Sequence, residues 1–215
     1  MYLPLFPLRT VLFPGMPLPL HIFEPRYRDL VNHCLMRNSP FGVTLIRSGA
    51  EVGGPAEPYL IGTSALIANV ERLTGGRLNI EVVGQERFQI IALHHDEPYL
   101  TGTVNSFPLA ETAQPQAQHL AQALTPWLGR YLSLLGKAAG EPFNHQHLPQ
   151  DPAAVAYLAA IVAQIPLEEK QTLLSVNSAS ELLTREHDIY RRELSLLRAM
   201  LNNRQAQSNP AFSPN

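Results

Sequence analysis

The chain has 215 residues, 45% of them hydrophobic and only 16% charged, with a formal net charge of −2. That length suffices to bury a core without disulfides or metal, as one large domain or two small ones. Residues 1–110 carry 8 Lys+Arg against 9 Asp+Glu and residues 111–215 carry the same numbers, so neither half has the clustered basic charge that nucleic acid requires.

The first thirty residues are short apolar runs punctuated by proline at 4, 7, 14, 17, 19 and 25. Proline cannot donate to a β ladder, so such runs weave through a sheet at edges, bends and strand starts. Residues 2–6, 11–13 and 18–23 read as strands. A helix is expected over 25–36, opened by Pro25, with Tyr27, Leu30, Val31 and Cys34 on its apolar side. Residues 41–46 form a strand, and the Gly/Pro-rich stretch 48–58 a loop. Segments 59–73 and 77–83 are joined by Thr74-Gly75-Gly76, a hairpin signal. Leu78, Ile80 and Val82 alternate there with Asn79 and Glu81, the pattern of a half-buried strand. Further strands are expected over 87–93 and 99–107. Closing these short strands into a barrel would hide most of their edges.

After Pro108 the apolar period becomes helical. Leu120, Leu124, Trp127, Tyr131, Leu134 and Leu135 share a stripe interrupted by Pro126, which implies either one kinked helix or a new start capped by Thr125. Asp151-Pro152 is a helix start, with Val155, Leu158, Val162 and Ile165 at helical spacing. Pro166 divides that helix from another over 167–174. Ser178 and Glu181 form a capping-box pattern before a helix to about residue 203, with Leu183, Tyr190, Leu194, Leu197 and Leu201 on one face. The expected organisation is a β domain over 1–110, a helical subdomain over 111–204 and a disordered tail over 205–215.

Cys34 is the single cysteine, so no internal disulfide forms and no thiolate zinc site is anchored. The N-terminus lacks the pattern of a signal peptide, and no apolar run approaches the ~18 residues of a membrane span. These features lead to the expectation of a cytoplasmic location. No Gly-x-x-x-x-Gly-Lys-Ser/Thr phosphate loop occurs; the lone Gly136-Lys137 pair is followed by Ala138.

The proline-punctuated N-terminus and its Ile22-Phe23-Glu24-Pro25-Arg26-Tyr27-Arg28 strand-to-helix junction resemble the Lon N-terminal domain family. This is the substrate-binding module at the front of Lon proteases, found also in shorter bacterial proteins without the protease. The segment Ile165-Pro166-Leu167-Glu168-Glu169-Lys170-Gln171-Thr172-Leu173-Leu174 is similar to the helical continuation of that module. The resemblance covers about 200 residues and implies an α+β fold, a PUA-like β pseudo-barrel followed by a helical bundle. It does not carry over ATPase or peptidase activity, since the motifs for those are missing.

Several clusters carry residue types capable of chemistry. His94-His95-Asp96-Glu97 is dense in metal-ligating types, but adjacent strand residues point to opposite faces, so a solvated turn is the simpler reading. His21 and Glu24 straddle the helix start, and His145 and His147 fall in a loop with Glu141 and Asp151 as nearest carboxylates. His33 and Cys34 are helix neighbours about 100° apart and do not face each other. Gly62-Thr63-Ser64 lacks the second glycine of a nucleophile elbow. Glu24, Arg26, Arg28 and Asp29 read as helix-start charges that pair locally or across to the barrel, with a fixed binding edge as the alternative. No catalytic residue, cofactor or metal is expected.

The expected function is binding of protein or unfolded polypeptide segments, with self-association as a further mode and neither nucleic acid nor membrane as a partner. Phe13, Met16, Leu18, Phe23 and Tyr27 are the candidate protein-binding residues, because a proline-stiffened apolar loop loses little entropy on docking. The competing view places Phe13 and Met16 inside the barrel. A small-ligand or RNA-binding PUA-like domain is the alternative function, and a hydrolase a third.

Overall fold

The structure, a computed structural model, describes residues 1–54, 56–140 and 148–208, the side chains of 200–208 excepted. It belongs to the α+β class and divides into two compact units. The first takes Met1–Ala110 together with Ile165–Asn177, and the second Glu111–Gln164 with Ser178–Asn215.

The first unit contains β1 (Tyr2–Leu8), β2 (Pro17–Ile22), α1 (Pro25–Arg37), β3 (Phe41–Gly49), β4 (Ala56–Pro58), β5 (Ile61–Arg72), β6 (Leu78–His94), β7 (Thr101–Ser106) and α4 (Leu167–Leu174). Strand β1 pairs antiparallel with β7 through Tyr2–Pro4 and parallel with β3 through Leu5–Leu8. With the β7-β6-β5-β3 path this closes a ring of five strands, though not a strict barrel. The change of partner within β1 explains its two prolines: Pro4 and Pro7 each lie on a stretch paired on one side only. β2 pairs with β6 alone, from Pro17 opposite Val83 to Ile22 opposite Leu78, so Pro17 and Pro19 stand on an edge strand.

Two predicted strands over 77–83 and 87–93 are one continuous strand, β6. Residues 11–13 form no strand. β4 lies inside the stretch expected to be loop. The Thr74–Gly76 connection is a single 3₁₀ turn joining β5 to β6. Helix α1 buries Tyr27, Leu30, Val31 and Cys34 on the expected face. These pack with Phe6, Leu8, Ile22, Phe41, Val43 and Val82 into the main core, while Leu3, Leu5, Phe88, Ile90 and Val104 make a second.

Residues 165–177 were expected with the helical subdomain but belong to the first unit. Gln171 Nε2 donates to the Ile61 carbonyl (3.0 Å), and Arg87, 2% exposed, donates through Nη1 to the carbonyls of Leu174 (2.7 Å) and Val176 (2.6 Å). These are side chain to backbone bonds, the two from Arg87 buried, which local sequence patterns do not signal.

The second unit contains α2 (Pro115–Ala139), α3 (Pro152–Val162) and α5 (Ala179–Ser208). α2 is one helix with Pro126 inside it, and Thr125 Oγ1 donates back to the Ala121 carbonyl (2.8 Å) instead of capping a new start. Asp151 caps α3 as expected, accepting from Ala154 N–H (2.9 Å), and Ser178 Oγ accepts from Glu181 N–H (3.3 Å) at the start of α5. Ala156, Ala159 and Ala160 are fully buried on α3. Tyr190 donates to the Ala159 carbonyl (2.8 Å) and meets Tyr131 edge-on, with ring centroids 5.0 Å apart. α5 continues through Ser208, beyond the expected end near 203. Residues 209–215 of the expected tail, and Glu141, His145 and His147, lie outside the described residues.

Candidate functional site

The segment leading into α1 is shaped by its contacts with β6. Gly15 N–H donates to the Gly84 carbonyl (2.8 Å), Gly84 N–H donates to the Met16 carbonyl (3.0 Å), and Met16 N–H closes the turn on the Phe13 carbonyl (3.1 Å). Thr63 Oγ1 holds the Leu12 carbonyl at 2.6 Å. A side chain at position 84 would meet the Phe13 carbonyl oxygen at 2.2 Å, so glycine is what lets the loop lie flat on the strand. Pinned this way, Phe13 points inward and is 0% exposed. It is a core residue and leaves the set of binding-surface candidates. Met16 and Leu18 are half-buried and pack against the main core.

From Pro17 the edge strand alternates: Leu18, Leu20 and Ile22 turn toward the core, and Pro17, Pro19 and His21 turn to solvent. Phe23 follows at 47% exposure. Tyr27 is 5% exposed, its ring stacked on Phe6 with centroids 3.9 Å apart and the Arg26 guanidinium 4.5 Å from its own centroid. Burial is the main cause that pushes its phenol above the usual range. Tyr27 thus supplies the wall of a site and no exposed anchor.

That site is a groove of about 250 Å³, lined by Phe6, Leu8, Leu20, Phe23, Tyr27 and Val52 among others. Phe6 and Tyr27 are its buried aromatics, while Phe23 and Val52 (56% exposed) form its rim. Val52 belongs to the loop between β3 and β4, which polar contacts hold in place. Glu24 Oε2 accepts from Gly53 N–H (3.3 Å) and from Arg26 Nε (3.1 Å). Arg26 Nη1 donates to the Gly54 carbonyl (3.3 Å), and Glu51 Oε1 accepts from Arg9 N–H (3.2 Å). Glu24 is the N-cap residue of α1 by position but makes no side-chain capping bond there. Its carboxylate serves the loop. Of the residues lining the groove, Phe23 and Tyr27 are among the sequence-based candidates, whereas Val52 and Glu51, whose loop is held by contacts 28 or more residues apart in the chain, are not. The sole local signal was the glycine-rich composition of that loop.

Of the remaining candidates, His21 lines the same groove, and the others lie apart from it. His21 Nδ1 hydrogen-bonds Asn79 Oδ1 (2.8 Å) and its ring stacks beside Phe23 (6.0 Å). His94 Nε2 meets Thr103 Oγ1 (2.9 Å) and stacks on Tyr2 (5.5 Å). His95 and Glu97 line another cavity, of about 340 Å³, with Arg26 and Tyr99. Among the described residues no group of three His, Cys, Asp or Glu side chains converges to hold a metal, and no helix is long and apolar enough to cross a membrane. Cys34 is buried against the Pro40 carbonyl (3.8 Å), and burial pushes its thiol up to about 11, so it stays protonated at neutral pH. His33 packs edge-on to Tyr99 (6.4 Å).

Residues 2–192 match the family model described as the ATP-dependent protease La (LON) substrate-binding domain. The chain is similar to Lon protease 1 of Herpetosiphon aurantiacus, 26% identical over 195 residues that make up 88% of this chain and 24% of that protein. It is likewise similar to the Lon protease of Dictyoglomus thermophilum, 26% identical over 196 residues, 91% of this chain and 25% of that one. The chain therefore spans about a quarter of the length of the curated relatives it matches. Among solved structures, the crystal structure of a Lon N-terminal domain protein from Xanthomonas campestris superposes with a TM-score of 0.62 at 28% identity, covering 86% of this chain and 96% of that one. The N-terminal domain of a Mycobacterium avium complex Lon protease shares the fold with a TM-score of 0.70 at 22% identity, covering 89% and 98%. With the family model spanning all but the last residues, the chain belongs to the Lon substrate-binding domain family.

Proposed function

We propose that this protein is a non-catalytic recognition module that binds exposed apolar segments of polypeptides in the groove between β1, the end of β2, the start of α1 and the β3–β4 loop. The observation that carries this reading is the composition of that groove: a stacked Phe6–Tyr27 pair inside, and exposed Phe23 and Val52 on the rim. Aromatic anchors beside solvent-facing apolar rims are the usual anatomy of a protein-binding patch. Family membership supports the same reading. Recognition here needs no covalent step, and the one thiol is buried and protonated.

Covering Phe23 and Val52 with a bound segment contributes roughly 2–4 kcal/mol by apolar area, equivalent to about 30- to 1,000-fold in affinity. The test is fluorescence anisotropy with a labelled peptide rich in Phe and Leu, using wild-type protein and Phe23→Ser with Val52→Ser. The double variant is expected to keep its melting temperature, as exposed positions do, and to lose at least about tenfold in affinity. Unchanged affinity in a folded double variant would refute the groove as the site.

A further inference from the structure

Three arginines line a second cleft, of about 350 Å³. Arg28 comes from α1, Arg72 from the end of β5 and Arg77 from the residue just before β6, with Asp29 and Asn32 also lining it. Among the described residues none of the three makes an ion pair, so the cleft holds three guanidinium groups against the single carboxylate of Asp29. Glu71, next to Arg72, is engaged elsewhere as acceptor for Asn79 Nδ2 (2.8 Å).

Two of the arginines, Arg28 and Arg77, are held by the β5–β6 turn. Arg28 Nη1 donates to the Gly75 carbonyl and Arg77 Nε to the Thr74 carbonyl, both at 3.3 Å. Arg28 Nε is buried without a hydrogen-bond partner among the described residues. Gly76 makes the arrangement possible: its φ is +74°, and a side chain there would meet Arg28 Nη1 at 2.6 Å. One hydrogen bond each fixes Arg28 and Arg77 and leaves most of their N–H donors available. Guanidinium forks present paired donors that match the two oxygens of a carboxylate.

We propose that this cleft binds the carboxylate side chains of an acidic polypeptide segment. The net charge of −2 for the whole chain and the presence of Asp29 disfavour an extended polyanion, which needs a long basic track, and favour one or two localised carboxylates. The proposal does not depend on the apolar groove.

The probe is a fluorescein-labelled Gly-Ser-Glu-Glu-Ser-Gly peptide, measured by anisotropy at about 20 mM salt, where surface charge is weakly screened. Its Gln-Gln counterpart, inorganic phosphate and a short oligouridine serve as comparisons. The Glu peptide should bind at least tenfold tighter than the Gln peptide. Arg72→Gln with Arg77→Gln should lose at least tenfold, whereas Phe23→Ser with Val52→Ser should not affect this binding. Both arginines are solvent-exposed, and a matched melting temperature confirms that the variant is folded; if the double variant melts lower, Arg72→Gln alone is read in its place. Equal binding of the Gln peptide, no loss in the arginine variant, competition by phosphate at equal concentration, or tighter binding of oligouridine would each overturn the proposal.

Discussion

Arg87 Nη1 lies 2.7 Å from the Leu174 carbonyl, which joins the middle of β6 to a segment 87 residues further along the chain. The same nitrogen reaches the Val176 carbonyl, and the guanidinium carbon sits 4.8 Å from the centroid of the Phe107 ring. Arg87→Met keeps most of the aliphatic volume and removes the donors. Each buried carbonyl left without a partner costs about 1–3 kcal/mol, so the variant should lose roughly 2–6 kcal/mol in urea unfolding. A loss below about 0.5 kcal/mol, the level of an ordinary surface change, would show that the bonds contribute little.

Cys34 should be unreactive while the protein is folded. Its thiol is raised to about 11 by burial, so at pH 8 the native protein holds almost no thiolate. Ellman's reagent should label it slowly in buffer and stoichiometrically in denaturant. As pH rises through the raised value the native rate should climb. Rapid native labelling at pH 8 would show an accessible, ionised thiol and contradict the packing of α1.

The parts legible in the sequence were those written in local patterns. The hairpin at Thr74–Gly76, the Pro25 helix start, the α1 face through Tyr27, Leu30, Val31 and Cys34, and the Asp151 and Ser178 caps all depend on residues a few positions apart. The misread parts depend on distant partners. Phe13 is core because Gly84, 71 positions away, accepts its loop at close range. Residues 165–177 join the first unit because Arg87 and Ile61 hold them there. Of the five candidate surface residues, Phe23 is the one that composition and position placed on the exposed rim. Val52 was missed because a loop that reads as plain glycine-rich linker is folded back by Glu24 and Arg26.

Glu186 is a buried carboxyl of the helical unit, 1% exposed, with no hydrogen-bond partner for either oxygen among the described residues. Burial holds its pKa well above the usual carboxylate range. An acid raised in the folded state stabilises it fully below the unfolded value of about 4.3, and that stability is lost as pH rises toward the folded value. Glu186→Gln removes the ionisation and nearly preserves the shape. It should raise the melting temperature at pH 8 and make little difference at pH 4.5. A variant less stable than wild type at pH 8, or a gain that is the same at both pH values, would contradict a buried neutral acid.

Gly84→Ala tests what places the N-terminal loop. The added methyl would sit 2.2 Å from the Phe13 carbonyl oxygen and 3.2 Å from Leu12 Cγ. The first contact is with backbone, which cannot rotate away, so the loop must lift off β6 or the strand must bend. Lifting it breaks the Gly15–Gly84 and Gly84–Met16 hydrogen bonds and draws Phe13 from the core. Strand propensity alone favours alanine over glycine by a fraction of a kcal/mol, so a purely local view expects stabilisation. The packing view expects a loss of about 2–4 kcal/mol, the scale of a core overpacking with lost hydrogen bonds. Urea denaturation decides the sign. Hydrogen exchange locates the cause: faster exchange at the Gly15 amide and at the amide of residue 84, with β5–β6 pairing beyond Leu66 still protected, is the expected pattern. A Gly84→Ala protein as stable as wild type would mean that the loop and Phe13 have another way to pack.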